Sequence, residues 1–287
     1  MKLVSCAIAA ALLGASLAFS VMAPLVAQTP TNASVKIEYV EPRSAALKGV
    51  YERARKYRVL ELLQEFLAPL RLPKQLQVRA AECGAQNSDY SPGQPVTICY
   101  EAMVEIERNA PTGKIIRIGP NLLSKDGAIV GGFVNLVLNQ TTLAVLDMLE
   151  VPIWGRREDA ADFVTALVML EFHKNPVIIW ATLAGTSWFL SQRGFVGQGD
   201  FTDVMRASEV QRFYNYACLA VGARPDLFGF LVTNKDVPER RARGCRTEYN
   251  KVKRAFVQTI MPNIDAATLK QVRELDWANR LNLVTKP

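Results

Sequence analysis

The chain has 287 residues, 49% of them hydrophobic and 21% charged, with a formal net charge of +7. That balance is globular, and the length allows a core that needs no metal or crosslink to hold it together. A single histidine occurs, which excludes any site built on two imidazoles and with it the usual zinc hydrolase arrangement.

The N-terminus reads as a secretory signal: Lys2, then an uncharged run from Leu3 to Phe19, then small residues suited to cleavage after Ala27. The run is too short and wrongly flanked for a membrane anchor. Residues 1–27 are therefore expected to be removed, leaving 28–287 as a single domain, secreted or periplasmic and without a transmembrane segment. Cys83, Cys99, Cys218 and Cys245 remain after the signal. An even set in an exported chain points to two disulfides; of three pairings, the sequential one is simplest.

In chain order, Ser34 to Val40 alternates and predicts an edge strand. Helical spacing follows over 44–69, ended by Pro73. Leu76 to Ala80 predicts a second strand, and Val96 to Tyr100 a returning one, with a short helix to about Arg108. Beyond Gly113 the pattern is predominantly helical, with helices expected near 126–149, 157–172, 176–191, 207–221, 238–260 and 265–279. A local excess of bases (Arg240, Arg241, Arg243, Arg246, Lys251, Lys253, Arg254) reads as a solvated helix face. It lacks the interleaved aromatic residues that a nucleic-acid surface uses.

The helix at 126–149 is almost wholly apolar and belongs inside the protein. Asn135, Asn139 and Thr142 nevertheless recur at i, i+4 and i+7, one stripe on one face. Buried amides need partners, so this stripe must look onto water, a pocket or another polar group. Glu158 and Asp162 open the next helix on one side and could supply it, although acids in a first turn also simply favour the helix dipole.

Several segments carry a resemblance: Ala81-Glu82-Cys83-Gly84, Ile98-Cys99-Tyr100-Glu101, the Gly155–Asp162 block, Gln211-Arg212-Phe213-Tyr214-Asn215, Cys218 and Cys245. Together, over roughly Leu72 to Ala255, they resemble a bacterial family of zinc metallopeptidases known mainly as a domain of unknown function. The resemblance implies an α+β, mostly helical, zincin-like domain with a small N-terminal sheet. In that family the buried helix carries H-E-x-x-H, whose histidines bind zinc and whose glutamate activates water. A following E-x-x-x-D supplies a third ligand and an acid that orients a histidine.

Here the pentapeptide reads Asn139-Gln140-Thr141-Thr142-Leu143. Glu158 matches the third ligand and Asp162 the orienting acid. Asn139 offers a neutral amide oxygen, Leu143 has no lone pair, and Gln140 cannot accept a proton as the base must. The lone His173 would lie about 22 Å from Glu158 along one helix and cannot replace them. The expectation is a pseudo-peptidase without zinc or another cofactor, its metal pocket turned into a polar cluster. In that cluster Asn139 and Gln140 donate to Glu158, and Arg156 or Arg157 balances the charge. Such a protein would act by binding a peptide or protein and not nucleic acid. Two other readings stay open: a hydrolase with an unrecognised or partner-completed site, and a structural protein of the cell envelope.

Overall fold

The structure, a computed structural model, describes residues 33–84, 88, 90–110, 116–118, 121–172, 179, 208–275 and 284–285. The expected signal, most of the expected 176–191 helix and His173 lie outside the described residues. Strand β1 (Val35–Tyr39) opens the described chain, and β2 (Leu76–Ala81) and β3 (Val96–Cys99) complete a sheet ordered β1-β2-β3. Both pairings are parallel, with Ile37 opposite Val78 and Ala80 opposite Ile98. The strand expected to return at 96–100 therefore runs alongside its predecessor. The loop between them is long enough to carry the chain back before pairing begins, and a disulfide joins Cys83, just past the end of β2, to Cys99 at the end of β3.

The β1–β2 crossover does not hold the single helix expected over 44–69. It contains α1 (Lys48–Lys56) and α2 (Val59–Phe66), separated at Tyr57 and Arg58. Arg58 has φ 52° and ψ 45°, a left-handed conformation that costs a non-glycine residue about 1–3 kcal/mol. The break is stabilised from the sheet. The Tyr39 hydroxyl accepts from the Leu60 backbone N–H at 2.8 Å and donates to Glu61 at 2.8 Å, satisfying an open donor of the α2 terminus. Apolar periodicity runs through the break, so the pattern alone did not reveal it.

Helix α3 (Tyr100–Asn109) follows β3 directly. A small antiparallel sheet that periodicity did not predict, β4 (Ile116–Ile118), β5 (Asn121–Leu123) and β6 (Val284–Thr285), joins the far end of the chain to its middle. These strands are only two or three residues long, too short to show an alternating pattern. Helix α4 (Lys125–Met148) comes next, its N-terminus capped by Ser124, which accepts from the Gly127 N–H at 2.9 Å. It is long and apolar enough to cross a membrane but is buried at the centre of the protein. Helix α5 (Arg157–Phe172) packs on it, α6 (Glu209–Ala223) packs on α5, and α9 (Glu239–Thr259) packs on α6. Two single-turn helices, α7 (Pro225–Phe228) and α8 (Phe230–Thr233), fill the connection expected to be a break, and α10 (Ala266–Arg273) closes the described helices. The architecture is α+β and mostly helical, with the parallel sheet near the N-terminus.

One cluster of buried apolar side chains runs from Val35 to Val272 through the parallel sheet and the helices. The tightest helix contact is between α6 and α9. Cys218 is joined to Cys245, and a Cβ placed on Gly222 would stand 2.3 Å from the Cys245 carbonyl oxygen. Backbone cannot yield as a side-chain tip can. Gly222→Ala is therefore expected to destabilise the protein by about 1–3 kcal/mol in denaturant unfolding. Gly49→Ala in α1, which meets open space, should instead stabilise it by about 0.5–1 kcal/mol.

Candidate functional site

Asp162 lies on α5, one turn beyond Glu158, and is 1% exposed. A buried carboxylate is tolerable only when cations and donors surround it, and the two flanking helices supply them. From α6, Arg212 donates through Nε to Oδ2 at 2.7 Å and through Nη2 to Oδ1 at 2.8 Å, a two-pronged ion pair. The Tyr216 hydroxyl, one turn further along α6, donates to Oδ1. From α4, Asn139 Nδ2 donates to the same oxygen at 2.7 Å.

The carboxylate only accepts, so it fixes the Asn139 amide with its nitrogen inward. The Asn139 oxygen then accepts from Gln140 Nε2 at 3.2 Å. Thr142 and Thr165 share a hydrogen bond at 3.4 Å one turn along the same interface. Asn135 lies by the Tyr216 hydroxyl, while its Nδ2 makes no ordinary hydrogen bond among the described residues. The polar stripe of α4 thus meets α5 and α6 and is buried, not open to water.

The expected cluster around Glu158 does not form in that way. Asn139 bonds Asp162, Gln140 bonds Asn139, and Arg156 pairs with Asp159 at 2.8 Å. The reason is burial: Asp162 is enclosed, whereas Glu158 is only half-buried beside the turn at Gly155. The more enclosed charge has the greater need of donors. Leu143, which the resemblance would put at the second histidine position, is 3% exposed and packs in the apolar core. Gln140 leaves its Oε1 buried without a partner among the described residues.

Arg212 and Tyr216 received no role from sequence reasoning, although Arg212 sits in one of the resembling segments. A signal was available: a basic and a phenolic residue at i and i+4 on a largely apolar helix, facing a chain with an unexplained buried acid.

The donor set does not fit zinc. Asn139 is committed through both ends of its amide, and Leu143 has no lone pair. Glu158 alone would have to hold an ion that structural and catalytic sites bind with three or four protein ligands. Cys83, Cys99 and Glu101 also lie close together, but the two sulfurs are joined and offer no thiolate. Glu101 instead accepts from the Cys83 and Gly84 backbone N–H groups at 3.1 and 2.6 Å. Glu82 does the same for Arg43 and Ser44 at 2.7 and 3.1 Å. Glu82 thus ties the segment after β1 to the end of β2, and Glu101 ties the segment after β2 to the first turn of α3.

With this geometry in place, comparison with known proteins assigns the chain to a class. Residues 39–260 match the family DUF4344, described as "Putative metallopeptidase". The chain belongs to that family. No curated protein and no solved structure matches it significantly.

Removing the arginine while leaving the acid strands a charge. Arg212→Met is expected to cost about 3–5 kcal/mol in denaturant unfolding, and adding Asp162→Asn to it should recover part of that loss. The surroundings also set an alkaline limit. Burial, followed by the Asp162 charge, raises the Tyr216 phenol well above its ordinary value of 10.0. Burial likewise raises Tyr39 and pushes Tyr90 up to about 12. Above pH 10 the unfolded chain gives up phenolic protons that the fold retains, so stability falls as pH rises. Unfolding midpoints measured from pH 8 to 11 should decline beyond pH 10, and Tyr90→Phe should make the decline shallower.

Proposed function

We propose that this protein is an exported member of its family that has given up the metal site and acts by binding, not hydrolysis. The observation that carries this reading is the Asn139 amide, which donates to Asp162 from the first ligand position. An imidazole there could bind Asp162 through one nitrogen and a metal through the other. An amide bound on both sides has no equivalent second face. Leu143 and Gln140 agree with it, since a buried alkyl chain and an unprotonatable amide replace the second ligand and the base. Disulfides Cys83–Cys99 and Cys218–Cys245 fit an oxidising compartment, which supports secretion or periplasmic residence after loss of residues 1–27.

Elemental analysis tests the reading. The purified protein should hold well under one zinc per chain. The variant Asn139→His, Gln140→Glu, Leu143→His should take up close to one. The natural chain should also leave casein uncut, with or without added zinc. Stoichiometric zinc in the unaltered protein, or chelator-sensitive casein cleavage by it, would overturn the proposal.

A further inference from the structure

At the opposite end of α5 from the family motif, α5 and α6 meet α9 and α10 around a cavity of about 610 Å3. Its lining includes Glu171, Arg224, Arg246, Tyr249, Lys253 and Arg273. Most of the basic excess in α9 behaves as a solvated face: Arg240, Arg243, Lys251 and Arg254 are exposed. Arg246, Tyr249 and Lys253, at i, i+3 and i+7, form the stripe that turns into the cavity.

Helix ends position the two arginines that matter most. Arg246 Nη1 donates to the Gly222 carbonyl at 2.8 Å, in the last turn of α6. Arg273 Nε donates to the Glu171 carbonyl at 3.0 Å, in the last turn of α5. Helix C-termini leave such carbonyls open and attract cations. Each arginine is thus held by one bond and retains the rest of its guanidinium fork.

The neighbouring charges are already matched. Lys253 Nζ contacts both Glu171 oxygens at 3.0 Å, and the Tyr249 hydroxyl also donates to Glu171. Arg224 is paired with Asp226 at 2.9 Å. Among the described residues, no carboxylate side chain pairs with Arg246 or Arg273. Two forked cations therefore border a cavity within the size range of small-molecule sites, and among the described residues the one carboxylate in its lining, Glu171, is taken up by Lys253 and Tyr249. The Tyr249 ring, 5.8 Å from the Arg246 guanidinium, packs beside it.

We propose that this cavity binds a small organic oxyanion, recognised by Arg246 and Arg273 as a pair. A phosphate monoester and a dicarboxylate both present oxygen pairs that match the guanidinium fork. The inference stands apart from the proposed loss of the metal site, since none of its residues contacts Asp162.

Thermal-shift and calorimetric titrations of the purified protein with glycerol 3-phosphate, inorganic phosphate and succinate test it. Sodium chloride at matched ionic strength is the control. The expected result is a saturable rise in Tm with at least one oxyanion and none with chloride. Tighter glycerol 3-phosphate binding would identify a phosphate ester, and tighter succinate binding a dicarboxylate. Arg246→Lys with Arg273→Lys keeps the charge but removes the forks. It should weaken binding at least tenfold with an unchanged circular dichroism spectrum. Should the pair fold poorly, Arg246→Lys alone carries the comparison, because that side chain is exposed. No saturable response, an equal response in the lysine variants, or binding only to vesicles of anionic lipid would overturn the proposal.

Discussion

Taking a carboxylate wholly out of water is among the costlier things a fold can do, and here the cost is offset by donors from both flanking helices. Arg212 and Tyr216 reach Asp162 from α6 and Asn139 reaches it from α4. The three helices are thereby tied at one level. If α4 or α6 slid by a turn, one donor would leave and the charge would lose part of its compensation. Apolar packing is tolerant of small shifts, and a short charged hydrogen bond is not. The register of the helical layer follows from Asp162 more than from any single apolar contact.

This separates two properties that H-E-x-x-H proteins ordinarily combine. The metal chemistry would depend on positions 139, 140, 143 and 158, whereas the anchor of the fold depends on 139, 162, 212 and 216. Only position 139 belongs to both sets. Asparagine there keeps the donor that Asp162 requires while offering no imidazole to a metal. Leucine at 143 adds apolar contact in a helix that is already buried. On the proposed reading, such substitutions would remove a catalytic centre while leaving the scaffold intact. Family membership and the absence of a fitting ligand set are therefore compatible.

The sequence was most legible where one physical signal dominated. Helix α4 was evident from its apolar length and α5 from its acidic first turn, and both pairs of cysteines are joined sequentially. Where two signals competed, one was missed. The break at Arg58 follows from the Tyr39 hydroxyl, which lies far away in sequence and only reaches α2 once β1 is in the sheet. The partners of Asn139 were misassigned because periodicity shows which residues share a face but not which of two acids a turn apart lies deeper. Arg212 and Tyr216 sit fifty or more residues from the acid they serve, and their i, i+4 spacing marks a shared face without pointing to that acid.

The contact between α6 and α9 has a further consequence. At Cys218 the two helices are bonded, and at Gly222, one turn on, their backbones touch with no room for a side chain. A rod pinned at one point can still roll about its own axis. When it also rests against a flat stop one turn away, rolling is blocked in both directions. Arg212 and Tyr216 lie on that same rod, so the joint with α9 and the bonds to Asp162 hold one and the same rotation of α6.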